Sequence, residues 1–145
     1  MIAVDTSIAV DTSIAVDTSI VVAGLVADHA RHEPARAVLA AGPAIPAHVA
    51  FESYSVLTRL PAPGRLSPAV VATLFDRAFA GRYVALSASE QATLVSDLPG
   101  MGIAGGAVYD ALVAATALRH GLTLRSLDRR AASTYEAIQV SYELI

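Results

Sequence analysis

Residues 14–19, IAVDTS, form an apolar triplet that ends on an aspartate and continues at once into the apolar stretch IVVAGLVA. This pattern predicts a short buried strand, Ile14 to Val16, followed by a helix from about Ile20 to Asp28 with Ser19 or Thr18 as its N-cap. A strand that passes directly into a helix is typical of parallel α/β sheets. Asp17 then lies at the carboxyl end of the strand, where open α/β sheets bind ligands.

The hexad IAVDTS occurs three times in tandem, so three aspartates compete for this position: Asp5, Asp11 and Asp17. Only the third copy runs into the helix-like segment, and we therefore interpret Asp17 as the functional residue. If Asp5 or Asp11 were the functional residue at the end of the strand, an IAVDTS insert would have to lie between the strand and the helix. A hexapeptide β-solenoid is disfavoured because three hexads are too few to bury a core.

The domain organisation follows from this interpretation. Residues 1–13 are predicted to be an extension that carries extra copies of the hexad, and residues 14–145 to be a single domain. The chain is 54% hydrophobic and only 16% charged, which is typical of a compact globular protein. No apolar run approaches the roughly 20 residues of a membrane span.

The basic residues are all arginine, ten in number, and the net charge is −3. Arginine suits phosphate and carboxylate groups. However, no global basic field draws nucleic acid to the protein, so RNA binding would depend on local arginine clusters and bound cations. The absence of cysteine excludes disulfides, thiolate zinc sites and cysteine nucleophiles, and it favours a cytoplasmic location.

Capping and turn signals divide the remaining chain into alternating helices and strands. Helices are predicted at 35–41, 47–60, 68–80, 90–98 (capped by Ser89), 107–120 and 128–135. Strands are predicted at 44–46, 82–86, 122–127 and 138–141. This alternation predicts an α/β fold with a central, mainly parallel sheet flanked by helices on both faces.

Two acids, Asp110 and Asp128, are predicted to meet. From Asp110 the helix climbs about 15 Å to His120, and the following strand returns about 18 Å, so Asp128 arrives at the level of Asp110. Asp110 also interrupts a helix that is apolar almost all round, where a carboxylate is costly unless paired or bound to metal. The alternatives are a first-turn acid at Asp110 and a helix N-cap at Asp128.

Glu52 lies early in its helix and Asp17 ends its strand, two positions that share one edge of a right-handed βαβ sheet. A surface glutamate that favours the helix dipole is the alternative for Glu52. Four carboxylates together would repel one another unless cations neutralise them. Their oxygens select Mg²⁺ or Mn²⁺, which can activate water for phosphodiester cleavage.

Four segments carry a resemblance to the PIN-domain family, and more closely to the VapC toxins of bacterial toxin–antitoxin pairs. They are IAVDTSIVVAGL, FESYSVLTRLP, AVYDALVAATALRHG and LRSLDRRAASTYEAI. The resemblance implies a PIN-like three-layer sandwich and an Mg²⁺- or Mn²⁺-dependent endoribonuclease. It also implies that the four acids hold metal, supported by the polar residue Ser19.

The same resemblance implies three partners: a VapB-like antitoxin, an RNA substrate and a second copy of the chain in a homodimer. A non-catalytic PIN-like interaction module is the alternative function. A phosphatase with Asp17 as nucleophile is a further one, but the segment lacks a second aspartate two residues on.

Other polar residues near the acids have two interpretations each. Arg129 and Arg130 are candidate contacts to RNA phosphates or simply a solvated helix face. Tyr54 and Tyr109 flank two of the acids and either stack on a base or, as we favour, pack in the core. His29 and His32 are interpreted as a solvated corner because no third metal ligand is evident.

Overall fold

The computed structural model describes residues 13–145, so Asp5 and Asp11 lie outside the described residues. The strands are β1 (Ile14–Val16), β2 (Ile45–Pro46), β3 (Tyr83–Val84), β4 (Thr123–Ser126) and β5 (Tyr142–Leu144). Strand β4 pairs in parallel with β1 on one side and β5 on the other, and β2 pairs in parallel with β3. A parallel bridge between Ala15 and Ala44 joins the two groups in the order β3-β2-β1-β4-β5.

Helices connect the strands and cover the sheet. Along residues 13–145 they are α1 (Thr18–Leu25), α2 (His32–Ala40), α3 (Ala47–Arg59), α4 (Pro68–Phe79), α5 (Ala88–Asp97), α6 (Ala107–Arg119) and α7 (Ala132–Ile138). Right-handed crossovers that run from β1 toward β3 place α1 to α4 on one face, and those that return toward β5 place α5 to α7 on the other. Packing of α1 on α2 and α3, and of α6 on α5 and α7, agrees with this arrangement. The predicted three-layer fold is confirmed.

The core lies between these layers. All three residues of β1 are buried, because helices cover the sheet on both sides. Leu57 of α3 and Leu124 of β4 are completely buried, and full burial of such a side chain contributes about 1.5–3 kcal/mol. None of the helices in the described range is both long and apolar enough to cross a membrane.

The start of α1 differs from the sequence prediction. Asp17 itself is the N-cap, and its side chain accepts a hydrogen bond from the Ile20 amide. The helix therefore begins at Thr18, and the predicted caps Thr18 and Ser19 lie in its first turn. The reason is that Asp17 keeps an extended backbone after the strand, which lets its short carboxylate turn back to the free amides.

Two further predictions of element ends are wrong. The N-cap of α5 is Ser87 rather than Ser89, because Glu90 then occupies the position that completes a capping box. The last strand is Tyr142–Leu144 rather than 138–141, because α7 continues through Ile138 and ends in a left-handed Gln139. The other predicted helices and strands are present, with ends shifted by a few residues.

Candidate active site

The strand order reverses direction between β1 and β4, which are neighbours in the sheet. Ligands of open α/β sheets bind outside the carboxyl ends of the strands at such a point. Asp17 directly follows β1, and Asp128 comes two residues after the end of β4. The topology therefore brings these two acids to the edge where a ligand is expected.

All four acids predicted from the sequence line one cavity of about 240 Å³ at this edge. Glu52 reaches it from α3, and Asp110 from the first turn of α6. Thr18, Ser19, Val113 and Tyr135 complete the lining. The structure thus brings the acids together, while their roles in catalysis and metal binding stay a prediction.

Asp17 is the most buried of the four, with only 5% of its surface exposed. Its Oδ1 accepts hydrogen bonds from the Ser19 hydroxyl at 2.5 Å and the Ile20 amide at 3.3 Å. Its Oδ2 accepts one from the Tyr135 hydroxyl at 2.8 Å. Burial raises the pKa of Asp17, and these hydrogen bonds oppose that rise because they favour the charged form.

Tyr135 is a site residue that the sequence analysis missed, as it missed Thr18 and Val113 in the lining. Its ring is buried and packs edge-to-face against Tyr142. Burial and the neighbouring Asp17 carboxylate both raise the pKa of the phenol, so the hydroxyl stays protonated and donates. The usable signal was the tyrosine itself, since a buried tyrosine hydroxyl usually requires a partner.

Ser19, predicted as a supporting residue, connects Asp17 to the end of β4. Its hydroxyl donates to Asp17 and accepts from the backbone amide of Leu127 at 2.8 Å. The neighbouring Ser126 hydroxyl accepts from the Asp128 amide at 2.9 Å. These bonds fix the loop that carries Asp128 relative to the buried Asp17.

Glu52 and Asp128 are more accessible. The Thr18 hydroxyl donates to Glu52 at 2.5 Å, which ties the exposed carboxylate of α3 to the first turn of α1. Asp128 accepts from the Arg130 amide at 3.0 Å and caps the short 3-10 turn that follows. Its interpretation as a cap is therefore correct, and a cap carboxylate keeps lone pairs free for a ligand.

Asp110 shows the electrostatic consequence of this arrangement. Burial raises its pKa first, and repulsion from Asp128, Glu52 and Asp17 raises it further. A divalent cation would relieve this repulsion, and oxygen donors are the ligands that Mg²⁺ and Mn²⁺ prefer.

The carboxylates fit such an ion in chemistry, although they do not form a closed cage. Within residues 13–145, no group of three or more histidine or acid side chains is arranged so that it could hold a metal ion by itself. Mg²⁺ keeps several waters and is usually bound through one or two carboxylates, so it does not require a closed cage.

None of the remaining candidates lines the cavity of the acids. Arg129 and Arg130 are exposed, as both of their interpretations require. The prediction that the two tyrosines pack in the core is wrong, because Tyr54 is 39% and Tyr109 is 55% exposed. Tyr109 instead stacks on His48, with 5.1 Å between ring centroids.

The two histidines set aside as metal ligands contact backbone atoms. A ring nitrogen of His32 lies 2.9 Å from the Ala23 carbonyl, and Nδ1 of His29 accepts from the Arg31 amide. These contacts agree with a structural corner rather than a shared metal.

Comparison with known proteins places the chain in a family. Residues 14–137 match the PIN domain. Ribonuclease VapC40 of Mycobacterium tuberculosis is 43% identical over 145 residues, which cover 100% of this chain and 99% of the relative. Ribonuclease VapC27 of the same organism is 46% identical over 93 residues, or 64% of this chain and 67% of the relative.

Solved structures show the same fold. The crystal structure of FitAcB from Neisseria gonorrhoeae superposes with a TM-score of 0.64 at 21% identity, covering 89% of this chain and 95% of that chain. The structure of FitAB bound to an IR36 DNA fragment gives a TM-score of 0.66 at 20% identity, covering 90% and 94%. Together with the matched domain and the relatives, the fold shows that this chain belongs to the PIN-domain family and, within it, to the VapC group.

Proposed function

We propose that this protein is a cytoplasmic, Mg²⁺- or Mn²⁺-dependent endoribonuclease and the toxin of a VapB-type toxin–antitoxin pair. The observation that carries the proposal is the convergence of four carboxylates in one cavity at the reversal of strand order. Relatives named as ribonucleases, similar over the whole chain, support the choice of RNA as substrate. The VapC group also supports an antitoxin partner, and the resemblance to VapC toxins supports a homodimer.

In this proposal Asp17, Asp110 and Asp128, together with Glu52, hold the metal. When bound, the ion supplies an activated water and stabilises the charge that develops on the phosphate. The donors around Asp17 hold its carboxylate in one orientation, so this ligand position is fixed before the ion arrives.

With the ion bound, a water would attack the phosphorus atom in line with the scissile bond. Glu52, the most exposed of the four acids, would accept one of its protons, and the departing 3′-oxygen would take up a proton from solvent. The products are a 5′-phosphate and a 3′-hydroxyl. No lysine, cysteine or histidine is required for these steps, which agrees with the residues that line the cavity.

The chain offers a matched test, because Asp5 and Asp11 stand in the same six-residue sequence as Asp17. We expect Asp17→Asn to lower Mn²⁺-dependent cleavage of an RNA pool at least about 100-fold, because the change removes a charged ligand at the reacting phosphate. Asp5→Asn and Asp11→Asn should retain the parent activity.

Loss of activity in Asp5→Asn or Asp11→Asn instead would keep the nuclease but move the ligand to another hexad. A parent protein that neither cuts RNA nor binds Mn²⁺ would overturn the proposal in favour of a non-catalytic interaction module. Circular dichroism of each variant checks that the fold is intact.

A further inference from the structure

A second cavity adjoins the acids and has the opposite charge. This basic groove, as we name it, has a volume of about 390 Å³ and contains Arg31, Arg130 and His29 in its lining. It also shares Thr18, Ser19 and Asp128 with the acid cavity. The two cavities therefore adjoin at these residues, so one extended strand can contact both.

The arginines of the basic groove are available to a ligand. Within the described part of the chain, Arg31 makes no ion pair with a carboxylate, whereas Arg119 and Arg125 are each paired with a glutamate. The side chain of Arg130 is 95% exposed, and its Nε lies 3.8 Å from Asp128, too far for a hydrogen bond. In a chain of net charge −3, the unpaired Arg31 and the exposed Arg130, whose ion pair with Asp128 is long, make a local site for an anion.

His29 adds a neutral donor to the groove. Its Nδ1 accepts a hydrogen bond from the backbone amide of Arg31 at 3.0 Å. The neutral ring that accepts at Nδ1 carries its hydrogen on Nε2, which is therefore a donor. The same bond holds the His29 ring beside the backbone of Arg31, in the corner between α1 and α2.

The distance between the two cavities suits two consecutive backbone phosphates of one RNA strand. Glu52 lines the acid cavity, and Val56 lines the basic groove one turn further along α3. Four residues of helix advance about 6 Å, so the two cavities lie one helical turn apart. Arginine side chains present flat, forked donors that match phosphate oxygens.

We propose that the basic groove binds a backbone phosphate of the RNA strand next to the phosphate that is cut, through Arg31 and Arg130 with His29 as an additional donor. The proposal rests on the proposed function, since it assigns a second contact to the same substrate. The groove positions the strand and takes no part in bond breaking. A protein partner with acidic side chains is the competing occupant, and the test below separates it.

The test compares Arg31→Gln with Arg77→Gln. Arg77 is an exposed arginine of α4 that does not line the basic groove, so both variants lose one positive charge. Binding of a fluorescent single-stranded RNA is measured by anisotropy in EDTA, over salt from about 50 to about 200 mM. Cleavage of the same RNA is measured with Mn²⁺.

We expect Arg31→Gln to weaken binding several-fold and to reduce the slope of log affinity against log salt by about 0.7, the value for one phosphate contact to a single strand. Arg77→Gln should change the affinity and the slope only by the small amount that the loss of any one positive charge produces. Cleavage by Arg31→Gln should require more RNA for half-maximal rate, with the maximal rate kept.

If the two variants have equal RNA affinities and salt slopes while the parent cuts RNA, the basic groove is not an RNA site. The proposed nuclease activity is then unaffected. Poly-glutamate serves as the probe for an acidic protein partner. If Arg31→Gln weakens the binding of poly-glutamate but not of RNA, the groove binds such a partner instead. A parent that neither binds nor cuts RNA would remove the proposed function and this inference together. Equal melting temperatures of the variants show that folding is unaffected.

Discussion

At the scale of single residues, the Asp17 carboxylate depends on three donors from two parts of the chain. Ser19 and Ile20 follow it directly, and the Tyr135 hydroxyl comes from a position 118 residues away. A buried carboxylate that loses a donor bears a desolvation penalty, and hydrogen bonds to charged groups contribute about 1.5–3 kcal/mol each. The Tyr135 hydroxyl therefore stabilises both the fold and the orientation of the ligand position.

We expect Tyr135→Phe to lower the free energy of unfolding at pH 7 by about 1.5–3 kcal/mol. The ring and its packing against Tyr142 remain, and only the bond to Asp17 is lost. Tyr142→Phe is the control, because its hydroxyl bonds Glu136, which is exposed. Urea denaturation measures both variants, and equal stabilities would contradict a special role for the Tyr135 hydroxyl.

The acids of the site could be predicted at this scale, but Tyr135 could not. Asp17 follows an apolar triplet, and Asp110 and Asp128 are related by a helix and a strand of known rise. These signals are local or follow from simple geometry. The partner of the Tyr135 hydroxyl, Asp17, lies 118 residues away, and no local pattern encodes which residue that partner is.

At the scale of elements, α5 shows how side chains at a helix start connect two helices. Glu90 accepts from the Ser87 amide and also pairs with Arg119 at the end of α6. The hydrogen bond from the Ser87 backbone and the bond to Arg119 lower the pKa of Glu90 to about 2. The ionised carboxylate is therefore the form that holds the two helices together.

We expect Glu90→Gln to lower the melting temperature modestly at pH 7, because glutamine cannot pair with Arg119. The ionised form stabilises the fold above about pH 4.5, the ordinary pKa, and this contribution is lost as the pH falls toward 2. The difference between parent and variant should therefore shrink between pH 5 and pH 3 in thermal melts.

The control for this prediction is Glu33→Gln, which removes the exposed pair with Arg36 in α2. Such surface pairs contribute little to stability, so this variant should melt like the parent at each pH. A Glu90→Gln difference that stays constant from pH 7 to pH 3 would show that the carboxylate charge is not responsible.

Element boundaries were the least predictable part of the fold, for physical reasons visible here. Ser87 and Ser89 are both good caps, and the choice between them depends on which one places a glutamate three residues on. The position of β5 depends on pairing with β4, because Leu124 to Ser126 align with Tyr142 to Leu144. A sequence pattern fixes the presence of a strand but not its register against a neighbour.

At the scale of the whole molecule, the strand order places an acid cavity and a basic groove side by side. The reversal between β1 and β4 collects carboxylates from α3, α6 and two strand ends. This concentration of like charge is unfavourable for the folded protein alone. Binding of a cation to the folded state would offset it, so folding, protonation and metal binding are coupled.

That coupling predicts how Mn²⁺ changes the melting temperature. Because the pKa values of Asp17 and Asp110 are raised, the metal-free folded protein binds more protons than the unfolded chain above about pH 4, and it loses stability as the pH rises through the raised values. Mn²⁺ at about 100 times its dissociation constant adds about 2.7 kcal/mol to the free energy of unfolding.

We expect the rise in melting temperature with Mn²⁺, compared with EDTA, to be larger at pH 7.5 than at pH 5, where protons compete with the ion for the carboxylates. Asp110→Asn should reduce both the rise and its dependence on pH; an undiminished rise in that variant would mean that Mn²⁺ binds elsewhere on the protein.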